Sequence, residues 1–236
     1  MNNIAISTVA NVSDFVGVTI SRSQMEELIA KAGKPLVFDG CDFEQGDLSR
    51  LDMHGFEFKG CTFMETSLYA SDLSQTRWSR CRGREANFEA AELVDALFQN
   101  CDLNNTKWRR ARLSSASFKG CKLTGANFEE VMHLGLTFED TLLIGADLSK
   151  MSFRKMQLKQ LDFSDADLSG CDFSDTVFFG GSLRNALLKL TRFDGADLRE
   201  ADIGGLKLED AKLFRGAIIS HNQAAALLGE LGLKVA

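Results

Sequence analysis

The chain has 236 residues, 27 Lys and Arg against 33 Asp and Glu, a net charge of −6, and 44% hydrophobic residues. This is the composition of a slightly acidic globular protein. It holds no 18-residue apolar run of the kind that spans a bilayer, and the opening Met1-Asn2-Asn3 has no basic segment leading into a signal-peptide core, so a cytoplasmic protein without membrane contact is expected.

Residues 1 to 20 carry no repeat and little periodicity, and both disorder and packing along the rest of the molecule stay open for them. Ser23-Gln24-Met25-Glu26 then reads as a capping box, followed by Met25, Leu28, Ile29 and Ala32 at helical spacing, Gly33, and the only proline, Pro35. A helical cap is predicted here, within an N-terminal segment of residues 1–35.

From Phe38 to Ile218 a large apolar residue is due at every fifth position. Of these 37 sites, 35 hold Phe, Leu, Ile, Met or Trp, and only Gly83 and His133 break the series. Two residues before such sites, positions 41, 61, 66, 71, 76, 86, 91, 96, 101, 106, 111, 116, 121 and 126 are all Cys, Ala, Ser or Thr. Each unit thus offers one small and one large inward side chain, and the other three positions are mostly polar. A period of five fits neither a strand nor a helix, so the chain must turn once per unit to keep its apolar residues on one side. An internal repeat of this kind means a solenoid. Cys41, Cys61, Cys81, Cys101 and Cys121 lie 20 residues apart and are expected to stack on one face, with Cys171 in the same small class on the opposite face.

Units such as Ala146-Asp147-Leu148-Ser149-Lys150 and Ala196-Asp197-Leu198-Arg199-Glu200 resemble those of the pentapeptide-repeat family, and the resemblance covers roughly residues 36 to 218. It implies an all-β solenoid over residues 36–219, a right-handed quadrilateral β-helix of four units and 20 residues per coil, with short α-helical caps at both ends. About nine coils at roughly 4.8 Å each would make a rod on the order of 45 Å long. Such a rod exposes a sheet edge at each end, and both edges need covering.

Several features interrupt the regularity. Gly83 lies between Arg82 and Arg84 in a basic belt: residues 76 to 122 hold ten Lys or Arg against five acids, whereas residues 160 to 183 hold five Asp and no base. His133 takes a central inward site in Val131-Met132-His133-Leu134-Gly135-Leu136, and Met151, Met156 and Leu161 overfill small sites downstream. A widened or bent rod around 131 to 161 is expected from this crowding.

Beyond the repeat, Ser220-His221-Asn222-Gln223 reads as a second capping box, opening a terminal module of residues 220–236 with Ala224, Leu227, Leu228 and Leu231 on one helix face ahead of Leu233 and Val235. The run from Asn222 to Leu233 is similar to the Q-A-x-x-L-x-x-x-L-G-I ending of the Qnr, MfpA and albicidin-resistance group within the family. That resemblance implies a symmetric end-to-end homodimer through Ala224, Leu227, Leu228, Leu231 and Leu233. It also implies a DNA-mimicking partner of DNA gyrase or topoisomerase IV, protecting the enzyme from quinolone-like poisons. The acidic residues Asp147, Asp162, Asp167, Asp172 and Asp175 would then meet basic topoisomerase residues. The competing reading is a non-catalytic interaction scaffold or host-directed effector displaying a face on a rigid rod.

No enzyme activity is expected. His54, His133 and His221 fall in no nucleophile, metal or phosphate motif, and the recurring Asp residues follow the period of the fold. The six cysteines occupy inward small-residue sites and read as reduced packing residues, a linear ladder that offers no tetrahedral metal ligation. No cofactor is implied. The Arg77–Arg84 and Arg109–Arg112 clusters lack interleaved aromatics for stacking bases, so direct nucleic-acid binding is not expected.

Overall fold

The computed structural model of the chain describes residues 14–205, 208–230 and 232–234. Every fifth residue turns a corner. Gln45, Glu65, Arg110 and their counterparts at multiples of five take the left-handed conformation with φ near +55°, so the chain bends once per unit and returns its large residue to the interior. Four such bends close a turn of 20 residues.

The turns are held together by four parallel ladders. On three sides these are single bridges, Asp42↔Thr62, Asp47↔Ser67 and Asp52↔Asp72, each repeated 20 residues on. On the fourth side they lengthen into a nine-stranded parallel sheet. Its strands are β1 (Phe15–Val16), β2 (Val37–Asp39), β3 (Glu57–Lys59), β4 (Arg77–Ser79), β5 (Leu97–Gln99), β6 (Ser117–Lys119), β7 (Thr137–Glu139), β8 (Gln157–Lys159) and β9 (Val177–Phe179). The 20-residue register carries Phe38 to Leu198, which is eight turns rather than the nine expected, and about 40 Å of rod.

The interior is a column of stacked side chains. Phe38, Phe58, Trp78, Phe98, Phe118 and Phe138 follow one another on the sheet side, with Phe98 and Phe118 4.7 Å apart and 8° from parallel. The small inward sites have a second role beyond leaving room. Thr66, Thr176 and Thr191 each donate a hydroxyl hydrogen bond of 2.7–2.9 Å to the carbonyl 23 residues earlier. Cys61, Cys81, Cys101 and Cys121 donate their thiols to the same acceptor at 3.3–3.6 Å. Ser71, Thr76 and Thr106 donate instead to the carbonyl three residues earlier, so a small hydroxyl or thiol at these sites always finds a backbone acceptor.

All six cysteines are buried and unpaired as disulfides. The neighbouring Cys101 sulfur and burial push the Cys81 thiol up, and burial pushes Cys171 up to about 12. Burial, which all six share, keeps reagents away from the sulfurs. The native protein should therefore leave all six unlabelled after an hour with excess maleimide at pH 7, and take up six labels in denaturant. Rapid native labelling, read by intact mass, would show that the coils open.

The ends depart from the expected pattern in three ways. First, the solenoid starts earlier than residue 36: Phe15 pairs with Phe38 and stacks on it at 5.2 Å, and Thr19 bridges Asp42. The sequence carries this as Phe15, Ile20 and Met25, already spaced by five; the rest of the expectation for residues 1 to 20 falls on residues 1–13, outside the described residues. Second, the helix α1 (Arg22–Lys31) is capped by Ser21 and not Ser23, with Ser21 and Gln24 forming the reciprocal capping box. Ser21 precedes Arg22, whose guanidinium ties the helix to the Asp47 carbonyl at 3.0 Å, and Met25 is fully enclosed. Third, the register to Ile218 does contain an insertion. Phe193 stacks on Phe214 and Asp197 bridges Ile218, both 21 residues on, so Ile218 turns outward with 49% exposure while Ile219 packs against the core. The extra residue falls between Ile203 and Phe214, where a 3-10 segment (Leu208–Phe214) replaces a regular corner.

Candidate interaction surface

The five acidic residues singled out by sequence share no single face. Asp147 and Asp167 are ladder neighbours on one side, while Asp162 lies on the ladder before them and Asp172 on the ladder after. Asp175 occupies a corner, with Arg154 at 3.8 Å. They form a band around the rod. Each of the four ladder carboxylates also accepts the N–H two residues on, at 2.8–3.0 Å from Ser149, Ser164, Ser169 and Ser174. Partial desolvation works against the Asp172 charge, but the Ser174 hydroxyl and N–H, with Arg192 at 3.2 Å, outweigh it and hold the group below the usual carboxylate range. These carboxylates therefore have a turn-forming role, and the second oxygen of Asp172 is taken up by Arg192.

Five of the ten bases of the belt meet acids about one turn away, and three of those acids, Glu129, Glu130 and Glu139, lie beyond residue 122. Arg110 meets Glu130 at 2.6 Å, Arg112 meets Glu92 at 3.1 Å, Lys119 meets Glu139 at 3.3 Å, and Arg84 meets Asp102 at 3.3 Å. Arg82 turns to the Thr62 hydroxyl at 3.0 Å. Gly83 produces no irregularity: its N–H donates to Asp102 O at 2.7 Å, and Leu103 and Phe63 fill the space its missing side chain leaves.

His133 stands where the ladder is interrupted. The third ladder runs to Arg112↔Met132 and resumes only at Ser152↔Asp172, and β7 and β8 pair through Glu139↔Lys159 alone. The Ser152 N–H, which the repeat would give to Val131 O, donates instead to His133 Nε2 at 3.1 Å. A nitrogen that accepts carries no proton, so the neutral ring holds its hydrogen on Nδ1 and donates it to Val131 O at 3.3 Å. The bonds due from Gly135 N–H to Arg154 O and from Gln157 N–H to Leu136 O are not made among the described residues. An open cleft of about 680 Å³ lies there, rimmed by Leu134 and Met132, which are 85% and 56% exposed. The aromatic column is interrupted at the same level: Phe128 and Phe138 end one stack, and Phe153 begins the next.

At the far end, helix α2 (His221–Glu230) closes the rod. Ser220 and Gln223 form its capping box, and the Gln223 amide goes on to donate to Leu198 O at 2.7 Å and Ala201 O at 2.8 Å. Those are edge carbonyls of the last turn. Gln223 is the residue whose part sequence reasoning missed, although the capping box had marked it. Ala224 is half-buried, Leu227 packs on the core, and Leu228 and Leu233 remain 39% and 54% exposed. Leu231 lies outside the described residues. None of the described helices is long and apolar enough to cross a membrane, and no group of His, Cys, Asp or Glu among the described residues is arranged to hold a metal ion.

Comparison with known proteins places this geometry. A trypsin-treated form of QnrB1, a plasmid-mediated fluoroquinolone resistance protein, superposes with a TM-score of 0.72 at 25% identity, covering 83% of this chain and 97% of that one. A second trypsin-treated form gives the same score and coverage at 24% identity. Full-length QnrB1 aligns over 93% of this chain and 97% of its own at 23% identity, with a TM-score of 0.45. No curated protein matches the sequence. The family model for a pentapeptide repeat region matches residues 36–108 and 51–128, and that for pentapeptide repeats in eight copies matches 138–178 and 182–213. The gaps between matches fall at 129–137, the interrupted ladder, and at Phe179, Gly180 and Gly181. Matched along most of its length and built as four ladders of 20-residue turns, the chain belongs to the pentapeptide-repeat family.

Proposed function

We propose that the chain is a non-enzymatic protector of DNA gyrase or topoisomerase IV against quinolone-like poisons. The observation that carries this reading is the superposition on trypsin-treated QnrB1 over 97% of that chain, at 25% identity. The surface supports it as well. The half-exposed carboxylates of Asp147, Asp162 and Asp167 give the C-terminal half of the rod fixed negative charge on two sides, as a duplex presents phosphates. A rod of this kind occupies a basic DNA-binding saddle without making or breaking a bond, and its association weakens steeply with salt, as that of DNA does. The exposed Leu228 on α2 and Leu233 just after it would join two copies end to end, doubling the length of the mimic.

The test is a gyrase supercoiling assay with and without a fluoroquinolone, titrated with this protein and repeated at two salt concentrations. Relief of drug inhibition, lost at high salt, is expected. Leu228→Arg should yield a monomer by light scattering and lose the relief. Absence of any effect on gyrase and topoisomerase IV, or relief indifferent to salt, would sink the reading and leave a rod that displays a binding face to some other protein.

A further inference from the structure

We propose that the gap between residues 131–137 and 151–157 accepts an extended peptide strand from a partner protein, and that the His133 imidazole holds that place when it is empty. The argument rests on what the ring replaces. One turn earlier and one turn later, the equivalent contact is a direct backbone bond: Met132 N–H to Ala111 O at 3.0 Å, and Asp172 N–H to Met151 O at 3.0 Å. Between them the imidazole is interposed, donating from Nδ1 to Val131 O and accepting at Nε2 from the Ser152 N–H. That is the pair of functions a peptide unit would present to the two edges. The ring therefore acts as a one-residue substitute for a strand.

The rest of the gap fits the same occupant. The Gly135 and Gln157 N–H groups and the Leu136 and Arg154 carbonyls are left without the backbone partners that the repeat supplies elsewhere. Unpaired edges of this kind are where added strands dock, with backbone bonds giving affinity and flanking pockets giving selectivity. Met132 and Leu134 on the rim, with half-buried Met156 at the back, favour apolar side chains on the incoming strand. Methionine adapts its shape to what enters. The cleft volume of about 680 Å³ accommodates several residues. A flat or globular ligand would leave the edge groups unpaired.

The probe is a fluorescein-labelled peptide copying residues 111–118, Ala-Arg-Leu-Ser-Ser-Ala-Ser-Phe, the regular segment that already pairs with the other edge of residues 131–137. Saturable binding to the whole purified chain is expected by fluorescence anisotropy, together with increased hydrogen-exchange protection at Ser152 and Gly135. Methylating alternate backbone nitrogens of the peptide should weaken it roughly tenfold or more, since each lost bond costs about 1 kcal/mol. His133→Ala, which removes the competing ring, should bind several times more tightly; its melting curve shows whether it has kept its fold. The proposal is overturned if the peptide binds neither the wild-type chain nor a folded His133→Ala variant, if the methylated peptide binds as well, or if protection rises only at the two ends of the rod. The assay uses no topoisomerase, so its result is independent of the gyrase reading.

Discussion

Replacing Trp108 by alanine is expected to lower the unfolding free energy by about 3–5 kcal/mol. The side chain is fully enclosed and lies in the regular part of the column. Its ring stacks on Phe88 at 4.1 Å and 4° from parallel and on Phe128 at 5.7 Å, and meets the edges of Phe98 and Phe118 at 5.6 and 5.4 Å. Its Nε1–H donates to the Thr106 hydroxyl at 2.7 Å, which in turn donates to Leu103 O at 2.7 Å. Alanine would empty a space bounded by four rigid rings on a backbone locked by ladders above and below, so little collapse can offset the loss. In a solenoid each turn touches only its neighbours, so the damage is to two consecutive interfaces and spreads no further. Trp78, the other tryptophan, stacks on Phe98 in the adjoining sheet-side column, which meets the Trp108 column edge-on, and it reports the transition by fluorescence during denaturant titration. Trp108→Phe keeps the stack and should cost far less. A loss under about 1 kcal/mol for the alanine variant would mean that the column repacks, contrary to the close packing argued for it.

Much of this architecture was legible because the repeat acts through two inward sites whose sizes are visible in the chain. The large series and the cysteine spacing of 20 carry the turn length without reference to any surface residue. The corner conformation was not legible, since Gln45, Arg110 and Leu190 take positive φ values of 54°, 59° and 62° without being glycine. Ladder bonds on both sides impose what local preference disfavours. The ends were misread for a related reason. A single added residue before Phe214 leaves the apolar residues plausible at 208, 213 and 218, and it takes the pairing of Phe193 with Phe214 and of Asp197 with Ile218 to show that the register has moved.

The candidate surface was less legible than the core, but one part of it was within reach. Charges stack by the same rule as cysteines, so Arg110 with Glu130, Lys119 with Glu139 and Arg112 with Glu92 are pairs at a separation of 20. A window ending at residue 122 counts Arg110 and Lys119 without Glu130 and Glu139, and so overstates the field of the belt. The cleft at His133 is a different matter. The oversized residues marked the place, but that the imidazole would stand between a carbonyl and an amide depends on backbone positions that no periodicity encodes.

The small inward sites supply a sharper contrast between sequence and structure. By sequence, Gly181 is one more member of the series that holds Cys121, Thr141 and Ala201, so alanine ought to be tolerated there. The structure gives it φ +84°, directly after Gly180 at +73°, and a Cβ there would fall inside the contact distance of the Leu161 carbonyl oxygen and 2.9 Å from Leu161 N. Both atoms belong to the backbone of the turn below, whose carbonyl already accepts Ser182 N–H at 2.9 Å, so neither can step aside without breaking that bond. Left-handed strain and overpacking each cost about 1–3 kcal/mol, so Gly181→Ala should destabilise the chain by roughly 3 kcal/mol or more. Cys121→Ala is the matched control, since it removes only a sulfur and a weak hydrogen bond of 3.5 Å and should cost about 1–2 kcal/mol. If both variants melt together near the wild-type temperature, the close approach of Gly181 to Leu161 is absent in solution. If Gly181→Ala alone falls, the turn at Phe179 to Gly181 is a backbone constraint, which is the physical reason a glycine stands where the repeat mostly uses alanine, serine, threonine or cysteine.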